Sequence, residues 1–441
     1  MTHGEQFQAL VNGLHDTTSA HEHFTFSYNA EASDFIRFNH AKVRQAGHVQ
    51  QAQATLTLIA EERQASIELT LAGDLELDHQ RVQHALSQLR QTLPLLPPDP
   101  YLQINPQAWH SQLQQDVDLP GVDSVVAQIG QAAADLDLVG IYAAGPIYRG
   151  FASSSGAFGW HQATSFNFDF SVFHANGQAV KANYAGQQWQ AEVLQQRLQQ
   201  AREQLVFLGR PLKTLVPGEY RAYLAPAALD EIIGMLSWGG FSAQAIASKS
   251  SPLQRLYAGE QRLSTQVNWR EQVSDSLSPA FSGEGYPRSD LALVVEGRSE
   301  QRLVDSRSAA EYGLPCNGAN GGESPGALQM GAGKLPQAQV LQALGTGLYV
   351  SNLWYLNYSD LPAARMTGLT RFATFWVENG EIVAPVSTMR FDDSAFSLLG
   401  SALEALTCER ELMLTTSTYG QRQTSSTLLP GALVSRLTLT L

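Results

Sequence analysis

Histidine is missing from the whole second part of the chain: all 11 stand at or before His174, so nothing from Ala175 to Leu441 offers an imidazole. A metal site built within that stretch would have to use carboxylates, amides or thiols, a poor set for catalytic zinc. Cysteine is scarce as well. Cys316 and Cys408 are the only two, and neither a C-x-x-C spacing nor a secretory leader accompanies them, so both are expected to be free, buried thiols. No apolar run approaches the roughly 20 residues that cross a bilayer, and Met1–Gln6 has no basic run before an apolar core. No membrane contact and a cytoplasmic location are the expectation. Basic clusters are also lacking. A net charge of -13 at pH 7 opposes binding to a polyanion, because affinity for nucleic acid rests on cations that neutralise phosphates.

What is present suits a soluble, folded protein. At 441 residues, with 44% hydrophobic and 16% charged side chains, the chain can bury more than one core. The pattern predicts an α+β protein. A short helix over Glu5–Leu14 precedes alternating strands at Phe24, Phe26 and Tyr28, at Leu56 and Leu58, and at Ile67, Leu69 and Leu71, with Glu61-Glu62-Arg63 as a hairpin turn. From Asp78 onward, Val82, Ala85, Leu86, Leu89 and Leu93 recur at helical spacing, with Asp78 placed to cap the first turn. Prolines 94, 97, 98 and 100 then break regular structure.

A second stretch begins near Val122. Val139–Tyr142 reads as a buried strand, and Phe166, Phe168, Phe170 and Val172 alternate up to Asn176-Gly177, a strong hairpin signal, before Ala179–Tyr184 returns. Val193, Leu194, Leu198, Ala201 and Leu205 predict a helix with a glutamine-rich outer face. Residues 1–216 are thus expected to form an N-terminal region with an antiparallel sheet and packed helices, in two parts of about 1–100 and 101–216. Residues 217–441 read as a C-terminal, mostly antiparallel β domain, in which Phe372–Val377, Asn379-Gly380 and Ile382–Val386 form another hairpin.

Several patterns suggest chemistry and fail on spacing. Gly331-Ala332-Gly333-Lys334 lacks the Walker spacing, and Leu335 stands where Ser or Thr is required. Gly150–Gly156 is serine-rich but is not G-x-S-x-G, and reads as a flexible loop. His21-Glu22-His23 reads as surface residues near a terminus rather than a metal clip, and His161 and His174 as polar residues at strand edges.

Asp230–Met235 reads Asp-Glu-Ile-Ile-Gly-Met, within a helix that turns Leu229, Ile232, Ile233 and Leu236 inward. Glu231 has the position of a metallopeptidase general base, yet without a metal to acidify water a carboxylate is a weak catalyst of amide hydrolysis; a local cap or ion pair is its expected role. Leu224-Ala225-Pro226 precedes the segment and Gly239-Gly240-Phe241 follows it. Further on come Phe281–Gly285, Gly347–Val350, Thr367-Gly368, Trp376–Ile382 and Pro385-Val386, and near the N-terminus Asp34–Asn39 leads into a basic turn at Lys42–Gln45.

In order and rough spacing this set resembles the TldD/PmbA family, also called modulators of DNA gyrase. Its catalytic branch carries His-Glu-x-x-x-His at Asp230–Met235, and its PmbA (TldE) branch does not. Catalytic relatives also take a cysteine ligand from a turn near the C-terminus; Thr415–Gly420 has none, and Cys408 is expected at a helix end. The resemblance implies a non-catalytic, TldE-like subunit. It would carry a degenerate motif at Asp230, Glu231 and Met235, with no metal or cofactor of its own, zinc being expected in a TldD-type partner. Together they would process unfolded or leader peptides as a heterodimer, with a homodimer when the partner is absent. The alternatives are an active metal-dependent peptidase with an atypical site, or a peptide-binding homodimer without a peptidase partner.

Overall fold

The computed structural model describes residues 1–115 and 117–440; Asp116 and Leu441 lie outside this set. Seven strands form the first sheet: β1 His23–Asn39, β2 Lys42–Ala60, β3 Arg63–Leu71, β4 Trp109–Gln115, β5 Asp137–Ser153, β6 Ala157–Phe173 and β7 Ala179–Gly186. Their order is β3-β2-β1-β5-β6-β4, with β7 also paired to β6. All pairs are antiparallel except β4 with β6. Because β1 pairs with β5 over nearly its whole length, the stretches 1–100 and 101–216 share this sheet.

Local sequence explains the turns. Glu61 and Glu62 both take positive φ (52° and 60°) between β2 and β3, the two-residue geometry whose twist matches the flanking strands. His40 and Ala41 do the same between β1 and β2. The expected basic turn at Lys42–Gln45 is therefore corrected: those residues already belong to β2. At Asn176-Gly177 only Gly177 has positive φ (86°), and His174 N–H closes the loop on Gln178 O at 2.8 Å.

Helices α1 His3–Thr17 and α2 Leu75–Thr92 pack on one half of the sheet, burying Phe7, Leu10, Val11 and Leu14 from α1 and Val82, Ala85, Leu86 and Leu89 from α2. A capping box starts α1: Thr2 Oγ1 accepts the Glu5 N–H at 3.2 Å, and Thr2 N–H donates to Glu5 Oε2 at 2.7 Å. The cap of α2 is Asp74 rather than Asp78. Asp78 lies inside the helix, fully buried, where its carboxylate accepts the N–H groups of Ala72 and Gly73 and the Gln6 amide.

Helices α3 Val122–Ala132 and α4 Ala191–Leu208 cover the other half, against Phe166, Phe168, Phe170 and Val172. The predicted buried strand Val139–Tyr142 alternates instead: Leu138 and Tyr142 are buried, while Val139 and Ile141 are exposed. Nor is Gly150–Gly156 a flexible loop. Strand β5 runs through Ser153, and the Ser155 hydroxyl donates to Asn105 O at 2.8 Å.

The rest of the chain builds a 13-stranded, mostly antiparallel sheet. Its strands are β8 Gly218–Leu224, β9 Trp269–Glu271, β10 Leu291–Val295, β11 Arg298–Ser299, β12 Ala327–Met330, β13 Gly347–Val350, β14 Trp354–Asp360, β15 Arg365–Leu369, β16 Thr374–Glu378, β17 Glu381–Pro385, β18 Arg390–Ser394, β19 Leu403–Leu414 and β20 Ser426–Leu439. Asn379 and Gly380 join β16 to β17 with positive φ at both (52° and 81°). Phe372, expected in the first of these strands, also has positive φ (64°) and stands outside it. The expected α+β architecture, with an antiparallel sheet followed by a larger mostly antiparallel one, is what the chain forms. Among the described residues no helix is long and apolar enough to cross a membrane.

Several contacts fix the second sheet against the first. Phe281 packs on Trp109 and Phe151, while the Asn105 amide and the Trp109 indole donate to Gly285 O at 2.7 and 2.8 Å. Ala373 and Phe375 enter the core under α3 and α4. In the connection between β19 and β20, Arg422 reaches into the first sheet, where its guanidinium donates to Gly145 O (2.9 Å), Ser165 O (2.9 Å), Ser165 Oγ (2.8 Å) and Ser33 Oγ (3.3 Å).

Candidate functional site

Helix α5 Pro226–Ser237 carries the degenerate motif. Pro226 opens it at a position where the missing N–H costs nothing, and Ala225 N–H donates to Val350 O at 2.9 Å, tying the helix start to the end of β13. Leu229, Ile232, Ile233 and Leu236 are buried in the core beneath, as their spacing predicts. The helix ends at Gly239-Gly240: Gly239 takes φ 78°, and a side chain at Gly240 would meet Leu236 O at 2.0 Å.

The other face of α5 borders a cavity of about 1480 Å³ between the two sheets. Its lining comes in part from β7 and α4, through Lys181, Asn183, Arg197 and Gln204, and in part from α5 and the ends of β13, β19 and β20, through Asp230, Glu231, Ser351, Asn352, Glu411 and Thr427. A shallower depression of about 600 Å³ lies along the glutamine-rich face of α3 and α4.

Of the motif residues, Asp230 and Glu231 line the cavity and Met235 does not. Met235 packs on the core, and its carbonyl accepts the Tyr358 hydroxyl at 2.6 Å. On a regular helix, residues five apart point in directions well separated around the axis, so a side chain at 235 is poorly placed to meet one at 230.

Asp230 accepts the Thr427 hydroxyl at 2.6 Å. Burial raises its carboxyl above the ordinary range, and that hydrogen bond pulls the other way. Glu231 was expected to cap or pair locally; it does neither, since no described residue hydrogen-bonds it. Its side chain is accessible within the cavity, yet confinement by the walls, then the neighbouring Asp230 charge, raise its carboxyl, with Lys181 opposing.

A pH dependence follows. Because both folded-state values are raised, the stability tied to these groups is fully present below their unfolded values near pH 4 and is lost as pH climbs through the folded values. The Asp230→Asn/Glu231→Gln variant is expected to lose less stability than its parent as pH rises above about 4, read from urea midpoints. Parallel pH profiles for the two proteins would contradict this.

The donor set around α5 does not fit a zinc ion. Among the described residues no group of three or more His, Cys, Asp or Glu side chains is placed to share a metal, and Asp230 is engaged by Thr427. Cys408 sits within β19, not at a helix end, and is exposed rather than buried; it contacts Glu409 Oε2 at 3.0 Å. Cys316 is half-buried, and both thiols are free.

The remaining motif histidines are dispersed. His161 is buried in the middle of the first sheet between β5 and β4, not at an edge. Its Nε2 meets Leu277 O at 2.8 Å, and burial holds its pKa down to about 4. His174 closes the hairpin loop, with its Nδ1 accepting Asn176 N–H at 3.2 Å. His21 and His23 are exposed, and Glu22 between them pairs with Arg90 at 2.7 Å. The glycines of Gly331–Lys334 spend their N–H groups on Asn268 O and Thr407 O, which leaves no phosphate cradle.

Sequence reasoning did not find Lys181, Arg197, Ser351, Asn352 or Thr427. Apart from the motif itself, no local signal marks them, because they come from separate elements that meet only in the folded chain.

Comparison with known proteins shows which family the chain resembles. A family model described as PmbA/TldA metallopeptidase C-terminal domain matches residues 217–441. A curated relative, Metalloprotease PmbA of Escherichia coli O157:H7, is 36% identical over 110 residues; the match covers 25% of this chain and 23% of that protein, so it spans less than a quarter of the relative. Among solved structures, TldE from Thermococcus kodakarensis superposes with a TM-score of 0.77 at 14% identity, over 99% of this chain and 100% of that one. A putative modulator of a DNA gyrase from Thermotoga maritima MSB8 gives 0.76 at 15% identity, over 100% of both. A putative modulator of DNA gyrase from Bacteroides thetaiotaomicron VPI-5482 gives 0.74 at 15% identity, over 99% of this chain and 98% of that one. At these identities the three structures establish the fold.

Proposed function

The chain belongs to the TldD/PmbA family of metallopeptidase-related proteins, and from that premise we propose that it is a PmbA (TldE)-like subunit that holds peptide without cleaving it. In this reading it acts in the cytoplasm beside a metal-bearing TldD-type subunit. Residues 1–216 and 217–441 form the two units between which an extended, unfolded or leader peptide is held. The zinc belongs to the partner.

One observation carries the reading: the helix that bears the family motif faces a cavity of about 1480 Å³ with carboxylates and no imidazole. The size supports a peptide segment rather than a small metabolite, since pockets for small ligands run to about 300–1,000 Å³. Strand β7, which borders the cavity, pairs among the described residues with β6 alone, and extended peptides gain affinity by adding backbone hydrogen bonds to such strands.

The test is metal analysis and peptide cleavage on the purified chain, alone and mixed with a TldD-type chain from the same cell. The isolated chain is expected to carry no stoichiometric zinc and to leave an unfolded peptide intact. The mixture is expected to elute as a heterodimer and to cleave. Zinc at one equivalent with chelator-sensitive cleavage by the isolated chain would establish an active peptidase with an atypical site instead. A chain that stays a homodimer in the presence of that partner would establish a peptide-binding protein outside any peptidase pair.

A further inference from the structure

Strand β2 outruns its neighbour β3. Their pairing stops at Ala52, opposite Leu71, and Gly73 (φ 82°) then turns the chain away into α2. Lys42–Gln51 continues with β1 on one side and, among the described residues, no strand on the other. Lys42–His48 and Gln50 are exposed. Another segment arrives at Gln51, whose amide donates to Gly420 O at 2.6 Å. A row of free N–H and C=O groups is a template for a further strand, and natural sheets keep such edges short or covered. This one is longer than an ordinary strand of about 5–6 residues. On the same stretch Gly47 serves no packing need of this chain, since a Cβ built there meets nothing within 4 Å. Glycine inside a strand weakens it and often marks a close approach by another backbone.

Charge narrows what can pair with this edge. Arg37 on β1, and Lys42 and Arg44 on β2, are exposed and have neither an ion pair nor a hydrogen bond among the described residues. The acids nearby are taken: Asp34 by His48 (2.8 Å) and Asp137 by His40 (2.6 Å). Lys42–Gln51 itself contains no Asp or Glu. Two copies of the edge laid side by side would therefore bring cations together with nothing to neutralise them, and like charges on paired strands are destabilising. A strand that carries carboxylates has the opposite effect.

We propose that Lys42–Gln51 is a docking edge for an acidic peptide segment, which adds to the first sheet as a strand in line with β3 and sets its carboxylates against Lys42, Arg44 and Arg37. Backbone hydrogen bonds supply the affinity, and the cations supply the preference for acidic sequence. None of these residues lines the cavity. The edge goes beyond the proposed function, because it requires neither the cavity nor a peptidase partner.

The test is calorimetric titration of the full chain at neutral pH with peptides of about eight residues, acetylated and amidated so that their ends carry no charge. One peptide has three Glu among Thr and Val, and its counterpart has Gln in their place. The acidic peptide is expected to bind about tenfold more tightly. Two further copies of it are N-methylated on alternate residues, one on each alternate set. An added strand uses the N–H groups of alternate residues, so at least one copy is expected to bind about tenfold more weakly than the unmethylated peptide. In the Lys42→Glu/Arg44→Glu variant the preference for the acidic peptide is expected to vanish. Both side chains are exposed and unpaired, so the urea midpoint of the variant should match that of its parent. Equal binding of the Glu and Gln peptides, or no binding of either, overturns the inference. Undiminished binding of both methylated copies shows attraction without strand addition and overturns it as well. A preference that survives in the variant places the acidic peptide elsewhere, which sinks the docking edge and leaves the proposed function standing. If the parent is a dimer that the variant dissolves, a second copy covers the edge, and the inference falls.

Discussion

Replacing Glu31 with glutamine is expected to destabilise the protein by about 3–5 kcal/mol, the range seen when one member of a buried charge group is removed. Glu31 is 1% exposed, and two buried guanidinium groups, Arg149 and Arg422, lie within its field. Burial brings each arginine down to about 10, and Glu31 opposes that fall in both; both stay cationic near neutral pH. Glu31 also accepts the Ser33 hydroxyl (2.8 Å), the Gln51 amide (2.6 Å) and the Arg422 N–H (3.3 Å). A glutamine of the same shape keeps the volume but presents a donor toward donors and leaves two buried cations without a carboxylate. Urea unfolding of parent and variant at neutral pH measures the loss, and a change below about 1 kcal/mol, the scale of an exposed ion pair, would show that the group is not under load.

A local consequence should accompany that loss. Arg422 anchors the connection between β19 and β20, and residues on either side of it, Thr415, Thr416, Ser425 and Ser426, line the cavity. Freeing the anchor loosens one wall of the candidate site, so the Glu31→Gln variant is expected to be cut by protease within 415–425 sooner than the parent.

The second large effect is expected at Gly145. Here the β1–β5 ladder is interrupted: Glu31 pairs with Ile147 and Asp34 with Ala144, with no pairing between. Gly145 has φ 131°, and a Cβ there would meet Ala32 O at 2.1 Å. The gap is where Arg422 enters to reach Gly145 O. Gly145→Ala therefore forces an L-residue into a conformation that costs about 1–2 kcal/mol, and adds overpacking against backbone of about 1–3 kcal/mol. Gly47, on the neighbouring β2, has nothing within 4 Å of a built Cβ, so Gly47→Ala is the control and should leave the unfolding midpoint nearly unchanged.

Much of the fold was legible because it depends on short-range rules. Alternation marked the strands around Phe166–Val172, and helical spacing marked the buried faces of α2, α4 and α5. The Asn-Gly pair at 379–380 marked a turn whose two positive φ values other residues adopt reluctantly. Errors came where a residue's own chemistry suggested a local role that tertiary contacts overrode. Asp78, a reasonable helix cap, is instead buried to satisfy the Ala72–Gly73 loop. Cys408, expected inside and at a helix end, lies exposed on a strand. Glu231, expected to find a local partner, faces a cavity that no local pattern announces.

By itself the sequence determined two things about function: the family, through motifs that keep their order along the chain, and the lack of imidazole anywhere after His174. The folded structure decided the rest. Only there do Glu31 and Arg422, far apart in the chain, become one buried charge group, and only there do α4, α5 and the ends of β13 and β20 enclose a common space. The reason is physical. Secondary structure follows from neighbours a few residues apart, whereas a cavity exists only once distant segments have been brought together around it.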